Sequence, residues 1–341
     1  MIRFPAPLRP GDTIGVTAPS SGVPAALRPR LDLAVAHLRE RGYEVRLGAC
    51  LADGGVVSAP ARERADELSA MLLDPTVRAV VPPWGGELAV EVLPHLDPAA
   101  LRAAEATWLV GYSDVSTLTL ALTTTTGTAS VHAPNLMDTP DPVPEPLLPW
   151  LDAVTAPTGS VLVQGGSTHH AGGTSPDWAD DPGARPTLDR PGGWSLLDPG
   201  AGEVHTTGRL LGGCLETIAP LAGTPYGDVA GFVADHAPEG LLLHLEASES
   251  HALDVARLLW GLRLAGWFDR VNAVLVGRTR APAAGGFSQA DALRSALADL
   301  DLPVVLDVDL GHVPPQLSLV QGALADLTVT AGTRSLAQTL A

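Results

Sequence analysis

Short apolar runs alternate with helix-period segments through the first 130 residues, and nothing else in the chain limits its fold as strongly. Ile14-Gly-Val-Thr-Ala reads as a buried strand that ends in the turn signal Pro19-Ser-Ser-Gly. Leu31, Ala34, Val35 and Leu38 then recur at helical spacing, with Gly42 suited to the helix end. A second strand follows over 43–47, and Ala61, Ala65, Leu68 and Leu72 mark a helix that stops before Pro75. Residues 77–81 form a third strand, a helix runs through Leu93, and 108–110 form a fourth strand. Strands alternating with helices predict a parallel sheet covered on both faces. In such sheets ligands bind beyond the carboxyl ends of the strands. The turns Gly85-Gly86 and Gly111-Tyr-Ser113 both lie there.

Ser113 falls at a sharp strand-to-helix corner, which projects its hydroxyl beside the first free helix N–H groups. Such a serine is a candidate nucleophile, although Val115 stands where the second glycine of a G-x-S-x-G elbow belongs. The same Ser-Asp pair also suits an ordinary helix N-cap.

Beyond Thr139 the composition changes. Pro140, Pro142, Pro144, Pro146 and Pro149 crowd one short stretch. Residues 165–206 are rich in Gly, Pro, Asp, Thr and His and carry Trp178 and Trp194, which favours a binding loop over a disordered one. A second unit then begins. Gly208-Arg-Leu-Leu-Gly-Gly-Cys-Leu-Glu-Thr reads as a strand, a glycine turn and a helix start. Strands at 240–246, 271–276 and 303–308 alternate with helices marked by Val255, Leu258, Leu259 and Leu262, and by Leu293, Ala296, Leu297 and Leu300. The expected division is an N-terminal α/β domain over 1–150, a linker and Trp-bearing loop over 151–206, and a second domain over 207–341.

Ser113, Glu246 and His312 each stand just past the end of an expected strand. A serine needs a base to take its proton, and a histidine base needs an acid to hold its tautomer. The Gly85-Gly86 turn and Asp114 offer backbone N–H groups for an oxyanion. Taken singly, Glu246 also suits a helix-start acid and His312 a hydrogen-bonded loop residue.

Net charge is −17, and all 21 basic residues are arginine, so a Schiff-base lysine is impossible and a nucleic-acid polymer is a poor partner. The two cysteines, Cys50 and Cys214, form no C-x-x-C pair. With neither a signal peptide nor an apolar run of membrane length, a cytoplasmic protein without membrane contact is expected.

Several motifs in order resemble the LD-carboxypeptidase family of serine peptidases, which includes the microcin C immunity proteins. They are Leu8-Arg-Pro-Gly-Asp-Thr-Ile-Gly-Val-Thr-Ala-Pro-Ser, Trp84-Gly-Gly-Glu with Leu93-Pro-His-Leu-Asp, Gly111-Tyr-Ser-Asp, Gly208-Arg-Leu-Leu-Gly-Gly, Glu246-Ala-Ser-Glu and Gly311-His312. The resemblance implies a triad of Ser113, Glu246 and His312, with Gly86 and Asp114 as oxyanion-hole amides. It implies an N-terminal parallel-sheet α/β domain with flavodoxin- or glutaminase-like layering and a smaller C-terminal α/β domain. The site would lie in the cleft between them, with no metal or cofactor, in a homodimer.

Two departures bear on the substrate. Cys214 replaces an Asn common in the family, and Trp84-Gly-Gly-Glu87 replaces an Arg-Gly-Gly of murein-recycling members. These, with the long Trp-bearing loop, look more like the microcin-immunity branch, which cleaves an amide between an acidic aminoacyl group and a nucleotide. Trp84, Glu87, Trp178 and Cys214 are the candidate substrate-binding residues, and Trp178 or Trp194 would stack on a base. The expected substrate is a small peptide or an aminoacyl nucleotide. Two other classes stay open. A metal-dependent hydrolase would draw on His244, Glu246 and His251, or on His169, His170, Asp177 and Asp180. A non-catalytic two-domain binding protein would need no triad.

Overall fold

The computed structural model describes residues 1–52 and 54–341. Its first half winds as the alternation predicts: β1 (Thr13–Val16), α1 (Arg28–Glu40), β2 (Glu44–Leu47), α2 (Ala61–Leu73), β3 (Val77–Val80), α3 (Pro98–Ala103), β4 (Trp108–Leu109), α4 (Ser116–Thr126) and β5 (Ser130–His132). β1 to β4 form a parallel sheet in the order β2-β1-β3-β4, and a parallel bridge between Val110 and Val131 leads on to β5. Leu31, Ala34, Val35 and Leu38 of α1, and Ala65, Leu68 and Leu72 of α2, are the buried faces that periodicity marks. The helix expected through Leu93 is instead a 3₁₀ segment, Ala89–His95, with Pro94 inside it. A proline there supplies no N–H for an α-helical bond.

The chain continues through α5 (Trp150–Thr155), β6 (Val161–Gly165), β7 (His169–Ala171), β8 (Leu188–Pro191), β9 (Ser195–Leu196), β10 (Val204–Cys214), α6 (Leu215–Ile218) and α7 (Val229–His236). β11 (Leu241–Glu246), α8 (Ala252–Leu264), β12 (Val271–Gly277), α9 (Gln289–Leu297), β13 (Val304–Val308), β14 (Leu319–Gln321), β15 (Leu324–Val329) and β16 (Arg334–Thr339) complete it. The second sheet has eight strands in the order β6-β16-β15-β10-β11-β12-β13-β9. β10 to β13 are parallel and the flanks antiparallel.

The fold class is the mixed α/β arrangement expected, and the C-terminal part, expected to be the smaller unit, carries the largest sheet. β6 and β9, taken from the stretch read as linker and loop, pair onto its two edges. β15 and β16 add a hairpin that no helix-strand alternation announces. Strand β10 also runs straight through Gly212 and Gly213 where a turn was expected. With φ of +149° and +154°, these residues keep the chain extended in a region that only glycine enters freely.

One apolar core spans both halves of the chain, and a second sits on the larger sheet around Trp194, Leu210 and Leu275. Among the described residues, no helix is long and apolar enough to cross a membrane.

Candidate active site

The corner after β4 is strained in the way a presented serine requires. Ser113 has φ +61°, which a non-glycine residue adopts at a cost. It opens the 3₁₀ turn Ser113–Val115 that feeds α4, and neither helix start has a side-chain cap. The N-cap reading therefore does not describe Ser113. Its Oγ lies 2.9 Å from His312 Nε2.

The neighbouring Asp114 is anchored by its own side chain, which accepts from Ser20 Oγ at 2.5 Å and from the Ala89 N–H at 2.7 Å. Burial still holds its carboxyl above the usual range, against the pull of those bonds. The Gly85-Gly86 turn lies against this corner. A Cβ on Gly85 would stand 2.9 Å from Ser113 Cβ and 3.1 Å from Asp114 N, so a side chain there would displace the serine.

The other half of the site comes from the larger sheet. Glu246 closes β11 and is buried; His312 follows β13 on a loop. Their contact is 2.9 Å, from His312 Nδ1 to Glu246 Oε2. Gly311, at φ +88°, makes this approach possible, because a Cβ there would stand 2.6 Å from that same oxygen. With Nδ1–H donating to the carboxylate, Nε2 is left free to accept the Ser113 proton. Burial works against the His312 imidazolium, but the Glu246 charge, its hydrogen bond and the more distant Glu216 and Asp138 raise its pKa overall. Burial likewise penalises the Glu246 carboxylate, and the His312 charge and bond outweigh it, so that pKa is lowered.

Ser113 and His312 open onto a cavity of about 600 Å³, whose walls include Trp84, Gly86, Tyr112 and Trp178. Trp84 is held by its Nε1–H, which points at the carbonyls of Ser21 (3.1 Å) and Gly22 (3.2 Å). The Trp178 Nε1–H donates to Ala184 O, and the Arg30 guanidinium lies 4.3 Å from its ring centre. Trp194 is elsewhere: it is buried in the second core and donates to Asp309 Oδ2 at 2.8 Å. Glu87 and Cys214 do not line the cavity either. Glu87 is exposed, and Cys214 is a buried register partner of Glu246 whose thiol bonds both the Glu246 and the Glu216 carboxylates. An alternating strand sends Cys214 into the sheet interior, which the motif alone did not show.

Two family models match the chain. The one described as LD-carboxypeptidase N-terminal domain covers residues 14–133, and the one described as LD-carboxypeptidase C-terminal domain covers residues 207–327. The chain belongs to the LD-carboxypeptidase family of serine peptidases. A Vibrio cholerae protein named as a carboxypeptidase is 31% identical over 317 residues, 90% of this chain and 89% of that protein. The microcin self-immunity protein MccF of Escherichia coli is 25% identical over 337 residues, 93% and 90% of the two chains. Among solved structures, MccF in complex with glutamyl sulfamoyl guanosine superposes with a TM-score of 0.80 at 22% identity, covering 98% of each chain. A muramoyltetrapeptide carboxypeptidase from Oxalobacter formigenes gives 0.68 at 23% identity, covering 96% of this chain and 98% of that one. Both structures share the fold.

The metal-ligand sets considered from sequence are not assembled. His251 caps α8 and bonds Asp254, while Asp177 accepts from backbone N–H groups of its own turn. Among the described residues no three His, Cys, Asp or Glu converge as metal ligands. The sequence reading did not single out Tyr112, which lines the cavity, or Arg30 behind it. Arg30 is buried and bonds Met137 O, Pro182 O and Asp141 beneath Trp178. Its signal was available, since it precedes Ala34 and Leu38 by four and eight positions and so stands on the apolar stripe of α1.

Proposed function

We propose that Ser113, His312 and Glu246 are the triad of a serine carboxypeptidase or amidase acting on a small substrate held in the 600 Å³ cavity. One observation carries the reading. Two 2.9 Å contacts link the three side chains in a single line across both halves of the chain. His312 takes the serine proton as Oγ attacks an amide carbonyl near the substrate's C-terminal end. Glu246 holds the imidazole in the required tautomer and stabilises the imidazolium. The N–H groups of Gly86 and Asp114 receive the oxyanion. His312 then protonates the leaving amine, and water releases the acyl-enzyme.

The substrate we favour is an aminoacyl-nucleotide amide. MccF is solved with glutamyl sulfamoyl guanosine, and here Trp178 faces the cavity, backed by Arg30, where a planar leaving group would stack. A murein tetrapeptide is the other substrate class. Two free, buried cysteines suit the cytoplasm, and the homodimer expectation is checked by light scattering. The deciding assay compares wild type with Ser113→Ala, Glu246→Ala and His312→Ala on both substrate classes. Ser113→Ala and His312→Ala are expected to lower kcat by roughly 10⁴-fold or more. Full hydrolysis by all three variants would overturn the triad.

A further inference from the structure

The chain leaves β11 at Glu246, and the turn that follows is clamped by a carboxylate from a neighbouring element. Glu216 lies on α6, the short helix after β10. Its Oε1 accepts from three consecutive backbone N–H groups, those of Ser248 at 2.9 Å, Glu249 at 3.2 Å and Ser250 at 3.1 Å. Consecutive N–H groups folded toward one point make a concave anion site, and hydrogen bonds to a carboxylate are the stronger kind. Here the anion is one of the protein's own side chains.

The other oxygen of Glu216 reaches the triad acid through a thiol. Cys214 Sγ lies 3.3 Å from Glu216 Oε2, and the same thiol bonds the Glu246 carboxylate. Cys214 and Glu246 are register partners on the parallel strands β10 and β11, so their side chains stand on one face of the sheet. Burial, and after it the two carboxylate charges, push the thiol pKa far up, so the thiol keeps its proton and stays a donor.

The same corner touches the nucleophile's turn. The Cys214 N–H donates to Ser116 Oγ at 3.1 Å, and Thr217 Oγ1 donates to Ser113 O at 3.4 Å. Residues 214–217 therefore meet the start of α4 and the end of β11 at once, with Glu216 holding the β11 side.

We propose that Glu216 is a positioning residue: by clamping residues 248–250 and sharing the Cys214 thiol with Glu246, it fixes the direction in which Glu246 meets His312. The inference rests on the triad reading. Misplacing a catalytic group by about an ångström costs up to about a hundredfold in rate. Glu216→Ala releases both ends of the clamp and is expected to lower kcat about tenfold, with KM within about twofold. Glu216→Gln keeps an acceptor oxygen for the three N–H groups and recovers part of that loss. In a Glu246→Gln background Glu216→Ala costs little further, because no carboxylate is left to aim. Charge is separable from position. Burial lowers the His312 pKa, Glu246, Glu216 and Asp138 raise it, and burial holds the nearby His132 neutral, at about 4. Both Glu216 variants remove one of the raising charges, so the acid limb of the pH–rate profile moves to lower pH in both.

Rates are measured on the murein tetrapeptide and on the aminoacyl-nucleotide amide, with denaturant midpoints to show that each variant is folded. Hydrogen exchange reads the clamp without any substrate: the amides of 248–250 are expected to lose protection in Glu216→Ala and to keep most of it in Glu216→Gln. Unchanged kcat in folded Glu216→Ala, an equal loss in both Glu246 backgrounds, or unaltered exchange at 248–250 overturns the inference. Hydrolysis retained by Ser113→Ala would instead sink the triad reading, while the exchange data would still show whether Glu216 holds the turn.

Discussion

His312 carries a raised pKa because a buried carboxylate faces it, and this has a direct kinetic consequence. In the proposed reaction the base must be neutral to accept the serine proton. Activity is therefore expected to fall as pH drops through the His312 pKa, which lies above the ordinary imidazole value of 6.5. Glu246→Gln removes the charge that raises it and leaves burial, which lowers it. The acid limb of kcat/KM is expected to move to lower pH in that variant, together with a loss of rate; a limb that stays in place would show that Glu246 does not set it. Each of the three side chains was visible in the sequence as a polar residue closing an apolar run. None could be told by itself from a cap, a helix-start acid or a loop histidine, because those alternatives use the same residues at the same places.

Two elements hold the site in shape, and neither is a catalytic strand. The loop that carries His312 is fastened by Asp309, which accepts from Arg278 at 2.6 Å, from Trp194 Nε1 and from the Ser167 N–H and hydroxyl. Trp194 and Ser167 both belong to the Gly- and Pro-rich stretch, so that stretch braces the loop. Arg278→Ala leaves Asp309 buried and short of its cation. It is expected to destabilise the protein by about 3–5 kcal/mol, read in denaturant unfolding. Arg30 supports the opposite wall of the cavity through Trp178 and Asp141. Arg30→Ala is expected to raise KM about tenfold for a substrate with a planar leaving group, and much less for one without. If both substrates respond alike, Trp178 is not a stacking surface.

At the scale of the molecule, the two halves are joined by a seam that shares backbone as well as side chains. β14, late in the chain, pairs antiparallel with β5 of the first half. Gln321 Nε2 donates to Thr119 Oγ1 at 3.0 Å across the same boundary. A Cβ on Gly213 would stand 2.7 Å from Ser116 Cβ, so β10 and α4 meet where a side chain has no room. With a core that also runs through both halves, the enzyme is expected to unfold in one calorimetric transition. Two resolved transitions would mean that the seam is weaker than its contacts suggest.

The sequence by itself determined the α/β class, the order of strands and helices in the first half, and the family. Those properties are written in local periodicity and in short ordered motifs. Only the tertiary structure decided that residues 66 and 199 positions apart stand 2.9 Å from His312, and that the second sheet is the larger. It also decided that Trp178 faces the cavity while Trp194 is core. Edge strands such as β6 and β9 take their register from partners far along the chain, and a side chain's surroundings depend on what packs over it. Neither is encoded within the span of a turn or a strand.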